Sequence, residues 1–398
     1  MSDLRRAAEK IAPELVAVRR QIHSWPEPAF QEERTAQLVC DYVRGLGLQI
    51  FTGVGGTGVV AVHEGDPEAG TIALRADMDC ILVQEDTGLP YASQRPGFMH
   101  ACGHDAHVAM LLGAAKLIAT HRELFPGRVV FLFQPAEELP PGGAVAMIAD
   151  GALSDHGVEA VAALHVSPDL PAGQFGLRPG PIMAAADRFT LTITGQGGHG
   201  AAPQNTVDAI AVAAQVVTAL QQIVSRQADP QEPLVLTIGT ITGGTGFNVI
   251  TDRVQMTGTT RYLNPAFRAW LPERMAAIAQ GVAAAFGGGA RLDYEPAFSP
   301  VINDHRLVEL AARVVAGMEG SFVWLDRPVM VGEDFARYLE KVPGVYSLLG
   351  IRPKAGGHPW HHPGFVIDES ALPLGCAYLA GLAREYGWSR RAELGSGG

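Results

Sequence analysis

A chain of 398 residues, 47% apolar and 18% charged, is long enough for about two or three domains with full cores and too apolar to be disordered. Its 30 Lys and Arg stand against 41 Asp and Glu, a net charge of −11 with no basic tract, which argues against nucleic acid and anionic membrane as partners. The charges of Met1 to Lys10 lead into no apolar core, and the longest apolar stretches, such as Ala209 to Leu220, fall short of the ~20 residues that span a bilayer, so a soluble, cytoplasmic protein is expected.

Leu4, Ile11, Leu15, Val16, Val18 and Ile22 recur at helical intervals and predict one amphipathic helix over 4–22. Strands are expected at 57–63 and 71–75, a helix at 105–120, a strand at 128–133, a helix at 142–150 and a strand at 159–165. This alternation, with near-continuous apolar strands, predicts an α/β fold: a mostly parallel sheet with flanking helices. The pattern changes between 186 and 297. Arg188 to Thr194 alternates as a half-exposed strand does. A helix follows at 207–227, strands at 234–242 and 253–262, a helix at 266–285 and a strand at 291–294. That β-α-β-β-α-β order is the ferredoxin-like unit. It reads as an insertion, because helix and strand alternation resumes from Asp304. The expected division is 1–185 and 298–398 as one domain around an inserted 186–297, with hinges at 179–181 and 296–300. The end, Gly395 to Gly398, reads as a disordered tail or an expression remnant.

Cys40, Cys80, Cys102 and Cys376 are even in number, but a large chain without a secretory signal does not default to disulfides. Three read as small buried hydrophobes. Cys102 differs because its neighbours are His100-Ala-Cys102-Gly-His104-Asp105. Open parallel sheets place ligands beyond the carboxyl ends of their strands. Three segments of metal-binding composition sit there: Arg75-Ala-Asp77-Met-Asp79, Gln134-Pro-Ala-Glu137-Glu138 and Leu164-His165. Cys, His and carboxylate are ligands for Zn, Mn, Co or Ni, and their scatter predicts a centre of two ions.

Gly103 permits a tight turn between Cys102 and His104, and a helix N-terminus there favours a thiolate. Consecutive side chains on an extended segment point to opposite sides, so one of Glu137 and Glu138 can hold a metal while the other faces the water to be activated. A bare Glu-Glu pair is ordinarily two solvated acids; the apolar strand before it weakens that reading. Of His361 and His362 only one need bind, and the residues alone do not choose. Asp77 is expected to orient a ligand from behind. His63, His100 and His107 are placed in the core or behind the ligands. In the insertion, Gly195 to Pro203 carries His199, Gly243 to Ile250 carries Asn248, and Arg261 ends a strand. Such groups suit an oxyanion and a carboxylate, although a glycine turn and a surface Arg explain them equally well.

Taken in order, these segments resemble the amidohydrolase branch of the aminoacylase and carboxypeptidase metallopeptidases. Hippurate hydrolase, N-acyl-L-amino-acid amidohydrolases and the plant auxin-conjugate hydrolases belong to that branch. The resemblance spans nearly the whole chain: Arg20-Gln-Ile-His23-Ser-Trp-Pro26-Glu27, Arg75 to Asp79, Met99 to Asp105, Gln134 to Glu138, Ala163 to His165, Gly197 to Ala201, Asn248 to Ile250, Gly332-Glu-Asp-Phe335 and His361-His-Pro363. It implies Cys102, His104, Glu138, His165 and His361 as ligands of two divalent ions, and Glu137 as general base and acid. It implies that the insertion is a lid and dimerisation domain, in a homodimer or homotetramer. There His199 would polarise the scissile carbonyl, often across a dimer interface, and Asn248, Arg261 and Gly332 would contact substrate. The implied reaction is hydrolysis of the amide of N-acyl amino acids, hippurate-like molecules among them. A carboxypeptidase or dipeptidase would share the same metal chemistry.

The sequence departs from the family pattern at Pro28-Ala29, Thr251 and Met330-Val331. No departure falls on an implied ligand. Thr251 and Val331 bear on substrate preference.

Overall fold

The run Arg128-Val-Val-Phe-Leu-Phe-Gln134 is apolar on both of its faces, and a strand of that kind needs cover on both sides. In the computed structural model, which describes residues 1–395, it forms a strand with every residue after Arg128 buried. The tail residues 396–398 lie outside the described residues.

Two units make up the chain: residues 1–182, 301–328 and 334–398 in one, and 183–300 with 329–333 in the other. The first is built on an eight-stranded sheet. Its order is Gln49–Val54, Gly58–His63, Arg128–Gln134, Thr71–Asp77, Ala160–Pro171, Gly344–Arg352, Gln174–Leu177 and Ser321–Trp324. The four central strands run parallel, with Asp77 opposite Gln134 and Arg75 opposite Ala163. The two strands at the Gln49 edge are antiparallel, as is the pairing of Gly344–Arg352 with Gln174–Leu177. The sheet is therefore mostly, not wholly, parallel. Helices Ser2–Lys10, His104–Thr120, His305–Gly317 and Leu372–Gly395 contribute to one continuous core against it.

Several boundaries differ from the sequence reading for identifiable reasons. The expected helix over 4–22 is two, Ser2–Lys10 and Ala12–His23, broken at Ile11: Pro13 has no N–H to give the carbonyl four residues back and fits only the first turn of a helix, so a new helix starts there. The strand expected to end at His165 continues to Pro171. His165 is thus inside a strand; what stops nearby is its neighbour, whose pairing ends at Ala163. The edge strands Gln174–Leu177 and Ser321–Trp324, four residues each, were too short to leave a periodic signal.

The second unit contains four antiparallel strands in the order Leu234–Gly243, Arg253–Tyr262, Ala185–Thr194 and Gly289–Phe298. Helix Phe267–Ala285 and the helix Ala209–Gln222, which ends in a π turn to Gln227, share its core. This is the ferredoxin-like arrangement. The stretch Ala209–Gln227 is longer than its purely apolar part and passes by length and composition as a membrane span. In this fold Val212, Ala213, Val216, Leu220 and Ile223 are buried in the unit's own core, so its apolar stripe has a partner here.

Candidate metal centre

The carboxyl ends of the central strands deliver the site. Asp77 closes its strand, Glu137 and Glu138 follow Gln134, and Val166 and His165 lie on the next strand. His104 is the first residue of the buried helix His104–Thr120. Gly103 before it has φ 88°, and a Cβ there would stand 2.3 Å from Val166 Cγ2. Only glycine lets this helix start so close to the strand. His361 also has a left-handed φ of 65°, unusual for a side chain of its size, and its N–H donates to the Ala101 carbonyl (2.9 Å).

Donor atoms from these elements converge. His361 Nε2 is 3.2 Å from Glu138 Oε1, Cys102 Sγ is 3.5 Å from His165 Nε2, and His104 Nε2 is 3.7 Å from Asp77 Oδ2. Glu137 shares a cluster with His104 and Glu138 whose donor atoms all lie within 4.8 Å of one another. Hydrogen bonds on the far side of the rings fix what each nitrogen presents. His104 Nδ1 donates to the Asp79 carbonyl (2.9 Å) and His165 Nδ1 to the Val166 carbonyl (2.8 Å). A carbonyl can only accept, so each ring turns an Nε2 lone pair inward.

Two of the inward atoms make no hydrogen bond. His104 Nε2 and Glu138 Oε1 are buried without a hydrogen bond, a costly arrangement unless a cation satisfies them. Electrostatics agrees. Burial, then the Glu138, Glu137 and Asp77 carboxylates, push the Cys102 thiol well above its usual range. Burial would lower the His104 pKa, but Asp77 and Asp79 outweigh it and raise it to about 10. Burial holds His165 well below its usual value. Positive charge at the centre would reverse the first two tendencies, as a dication does for a coordinating thiol and imidazole. Soft thiolate, imidazole and carboxylate together fit divalent transition ions, and the donor set is large enough for two.

Behind the donors lies a buried scaffold. Asp77 accepts from Arg75 Nη1 (2.6 Å) and His107 Nδ1 (2.6 Å), while the Val166 N–H donates to His107 Nε2 (3.0 Å). Burial alone would raise the Asp77 pKa; Arg75, His104 and His107 hold it well below the usual carboxylate range. Arg75 also reaches Gln134 Oε1 (2.9 Å) and Asp334 Oδ1 (2.8 Å), and Asp334 accepts the Ala144 N–H (2.9 Å). Asp79 takes the backbone N–H of Glu137 and of Glu138, each at 3.0 Å. Asp77 therefore faces the Nε2 side of His104, and the bond that orients that ring comes from the Asp79 carbonyl.

Asp79, Arg75 and Asp334 were quoted in sequence motifs but given no part in the centre. One signal was available: an Arg inside the apolar strand Thr71–Asp77 must be paired to be buried. Of the two adjacent histidines, His361 is the one at Glu138, while His362 stacks on His358 with centroids 4.0 Å apart. His100 is buried with both ring nitrogens unpartnered. His63 pairs in register with Val129, at the opposite end of the strands.

In the second unit, His199 is exposed, on a two-residue strand opposite Val249. The Ala201 N–H donates to its Nδ1 (3.0 Å), which leaves Nε2 carrying a proton outward. Asn248 is exposed, and its carbonyl accepts the Gly200 N–H (2.8 Å). Arg261 is half-buried on the open sheet face, donating to Thr259 Oγ1 and the Thr260 carbonyl, and burial lowers its pKa. Gly332 is packed against its own unit: a Cβ there would meet Ala186 Cβ at 2.6 Å and Phe298 Cδ2 at 2.7 Å. Close packing is enough to require that glycine.

The sequence pattern of Peptidase family M20/M25/M40 matches residues 73–385. The chain is 42% identical over 359 residues to the N-acetyl-L-cysteine deacetylase of Bacillus subtilis, covering 90% of this chain and 85% of that one. It is 42% identical over 301 residues to the N-acyl-L-amino acid amidohydrolase of Geobacillus stearothermophilus, covering 76% and 81%. Among solved structures it is similar to a dinuclear metal-binding peptidase of the M20 family from Bacillus subtilis. That match has a TM-score of 0.84 and 36% identity, over 94% of this chain and 98% of the other.

Proposed function

The chain belongs to peptidase family M20/M25/M40, and from that premise we propose that it hydrolyses the amide bond of N-acyl amino acids, with Glu137 carrying the proton. It is a metal-dependent amide hydrolase with two divalent ions. The observation that carries the site assignment is the set of inward lone pairs, two of them buried without a hydrogen bond, gathered beside a second carboxylate. We assign Cys102, His104, Glu138, His165 and His361 to the ions. Asp77 supports them from the Arg75 and His107 side.

Bound there, the ions supply Lewis acidity towards water and the amide carbonyl. Glu137 takes a proton from water as its oxygen adds to the carbonyl carbon. The same carboxyl returns that proton to the amide nitrogen as the C–N bond breaks, so a carboxylic acid and a free amino acid leave. Asp79 holds the amides of both glutamates, which keeps the proton carrier and its neighbour at fixed directions. We assign the Nε2–H of His199 to the carbonyl oxygen, Asn248 to substrate oxygens and Arg261 to the substrate carboxylate, with Gly332 lining the substrate side.

The inserted unit, 186–297 in the sequence division, acts in this reading as lid and as the contact of a homodimer or homotetramer. Exposed Ile210, Ile241, Phe247, Val249 and Phe286 support an interface there. Four free cysteines fit a reducing compartment, the cytoplasm.

The test is a panel of benzoyl-glycine, other N-acyl amino acids and unblocked dipeptides, each run with Mn, Zn, Co and Ni. Preferred turnover of the blocked amino acids is expected; preference for unblocked dipeptides would move the chain to the peptidase reading. Cys102→Ala should lower metal content by elemental analysis.

A further inference from the structure

Glu32 precedes the helix Glu33–Arg44, where an acid is ordinarily an N-cap, yet its side chain makes no capping bond. Glu27 takes that part instead, accepting the N–H of Arg34 (3.0 Å) and of Thr35 (2.8 Å) and the Thr35 hydroxyl (3.0 Å). Glu32 turns inward and is 0% exposed. One oxygen accepts the N–H of Phe30 (3.1 Å) and the N–H of Ala136 (2.9 Å); the other accepts the Thr57 hydroxyl.

Ala136 lies 104 residues further along the chain and immediately before Glu137. Both amides held by Glu32 belong to non-glycine residues in the left-handed region, Phe30 at φ 59° and Ala136 at φ 53°. Such a conformation persists only where surroundings over-determine it. At Ala136 they do: Glu32 takes its N–H, and its carbonyl accepts the Gly143 N–H (2.9 Å). The turn at Ala136 sets the direction in which Glu137 leaves the backbone. With Asp79, three consecutive amides, those of residues 136, 137 and 138, end on two buried carboxylates.

We infer that Glu32 is a positioning residue for the proton carrier: by clamping Ala136 in its left-handed turn it aims the Glu137 carboxylate. This rests on the reading of Glu137 as the group that moves the proton. The role needs acceptance of hydrogen bonds and not charge. No ion pair to Glu32 is present among the described residues, and burial, reinforced by the Asp79 charge, raises its pKa to about 7. Glutamine can therefore do the same work, accepting both amides on one oxygen and donating to Thr57 Oγ1. Aspartate keeps the charge but is one methylene too short to hold both Phe30 and Ala136.

The experiment uses metal-loaded full-length protein and benzoyl-glycine, following kcat, KM, metal content and Tm. Glu32→Ala should lower kcat about a hundredfold, the scale of a displaced reacting group, with KM and two ions per subunit retained. Glu32→Gln should recover kcat to within about threefold. If Glu32→Ala does not fold, Glu32→Asp carries the test, with kcat falling while the ions stay bound. Glu27→Ala, which loses a helix cap only, should lower Tm and keep kcat. Wild-type kcat in Glu32→Ala or Glu32→Asp overturns the inference, as does loss of metal together with kcat or a failure of Gln to rescue. Glu137→Gln in the same assay separates the two readings. If that variant turns over normally, the proton carrier is misassigned; if it is dead while Glu32→Ala is normal, only the positioning role falls.

Discussion

The metal centre and the inserted unit hold their chemical groups in opposite ways. At the centre, Arg75, Asp77, Asp79, His107 and Asp334 are buried, and their partners come from strands and loops far apart in the chain. In the inserted unit, His199 and Asn248 are exposed and bonded only within neighbouring loop segments. The difference is the one the proposed roles require. Converging lone pairs repel one another, so a metal centre is assembled only by a scaffold rigid enough to hold them before the cation arrives. Groups that meet a substrate can sit on short loops, where replacing one leaves the fold intact.

Four measurements sharpen or break that contrast. The largest effect is expected at Glu137: Glu137→Gln should lower kcat by about 10²–10⁴-fold, the usual weight of a general base, while elemental analysis still finds two ions. Loss of the ions with activity would mean that Glu137 belongs to the scaffold. Next, Arg75→Met strands Asp77 and Asp334 as buried acids without their cation and should cost about 3–5 kcal/mol in chemical denaturation. A surface-like effect below about 1 kcal/mol would show that the buried network is not what holds the centre.

His199→Ala tests the other side. A lost oxyanion donor costs about 10²–10³ in kcat, and here Tm and metal content should stay at wild-type values. If Tm falls as far as in Arg75→Met, the inserted unit is not the tolerant region described.

The smallest effect concerns pH. Burial raises the Glu32 pKa from 4.5 to about 7, so the folded state binds the extra proton between those values. The unfolded state binds fewer there, and stability contributed by this group falls as pH rises through that window. Glu32→Gln removes the slope. Between pH 5 and pH 8 the wild type should lose more Tm than the variant; equal losses would mean that Glu32 ionises normally.

Legibility in the sequence followed the same division. The strands from 57 to 165 and the element order of the insertion were readable, because apolar runs and 3.6-residue spacing report burial directly; the helix Glu33–Arg44 and the strands Gln49–Val54 and Gly344–Arg352 were not picked out. The break at Ile11 and the two four-residue edge strands were missed as well, since one proline in a helical period does not mark which residue ends the turn before it and short strands carry no period. Cys102, His104, Glu138, His165 and His361 were readable as metal-binding types in ordered motifs. Asp79, Glu32 and Asp334 were not: an acid that accepts backbone amides has no signature distinguishing it from a solvated one.

By itself the sequence determined the family, the two-part architecture and the kinds of atom available for a metal centre, because each is a property of residue type and order. Tertiary structure alone decided which atoms face one another. It set the His104 and His165 tautomers through backbone carbonyls and brought Glu32 to an amide 104 residues away. Those choices depend on backbone groups, which every residue carries alike, so no reading of side-chain types could contain them.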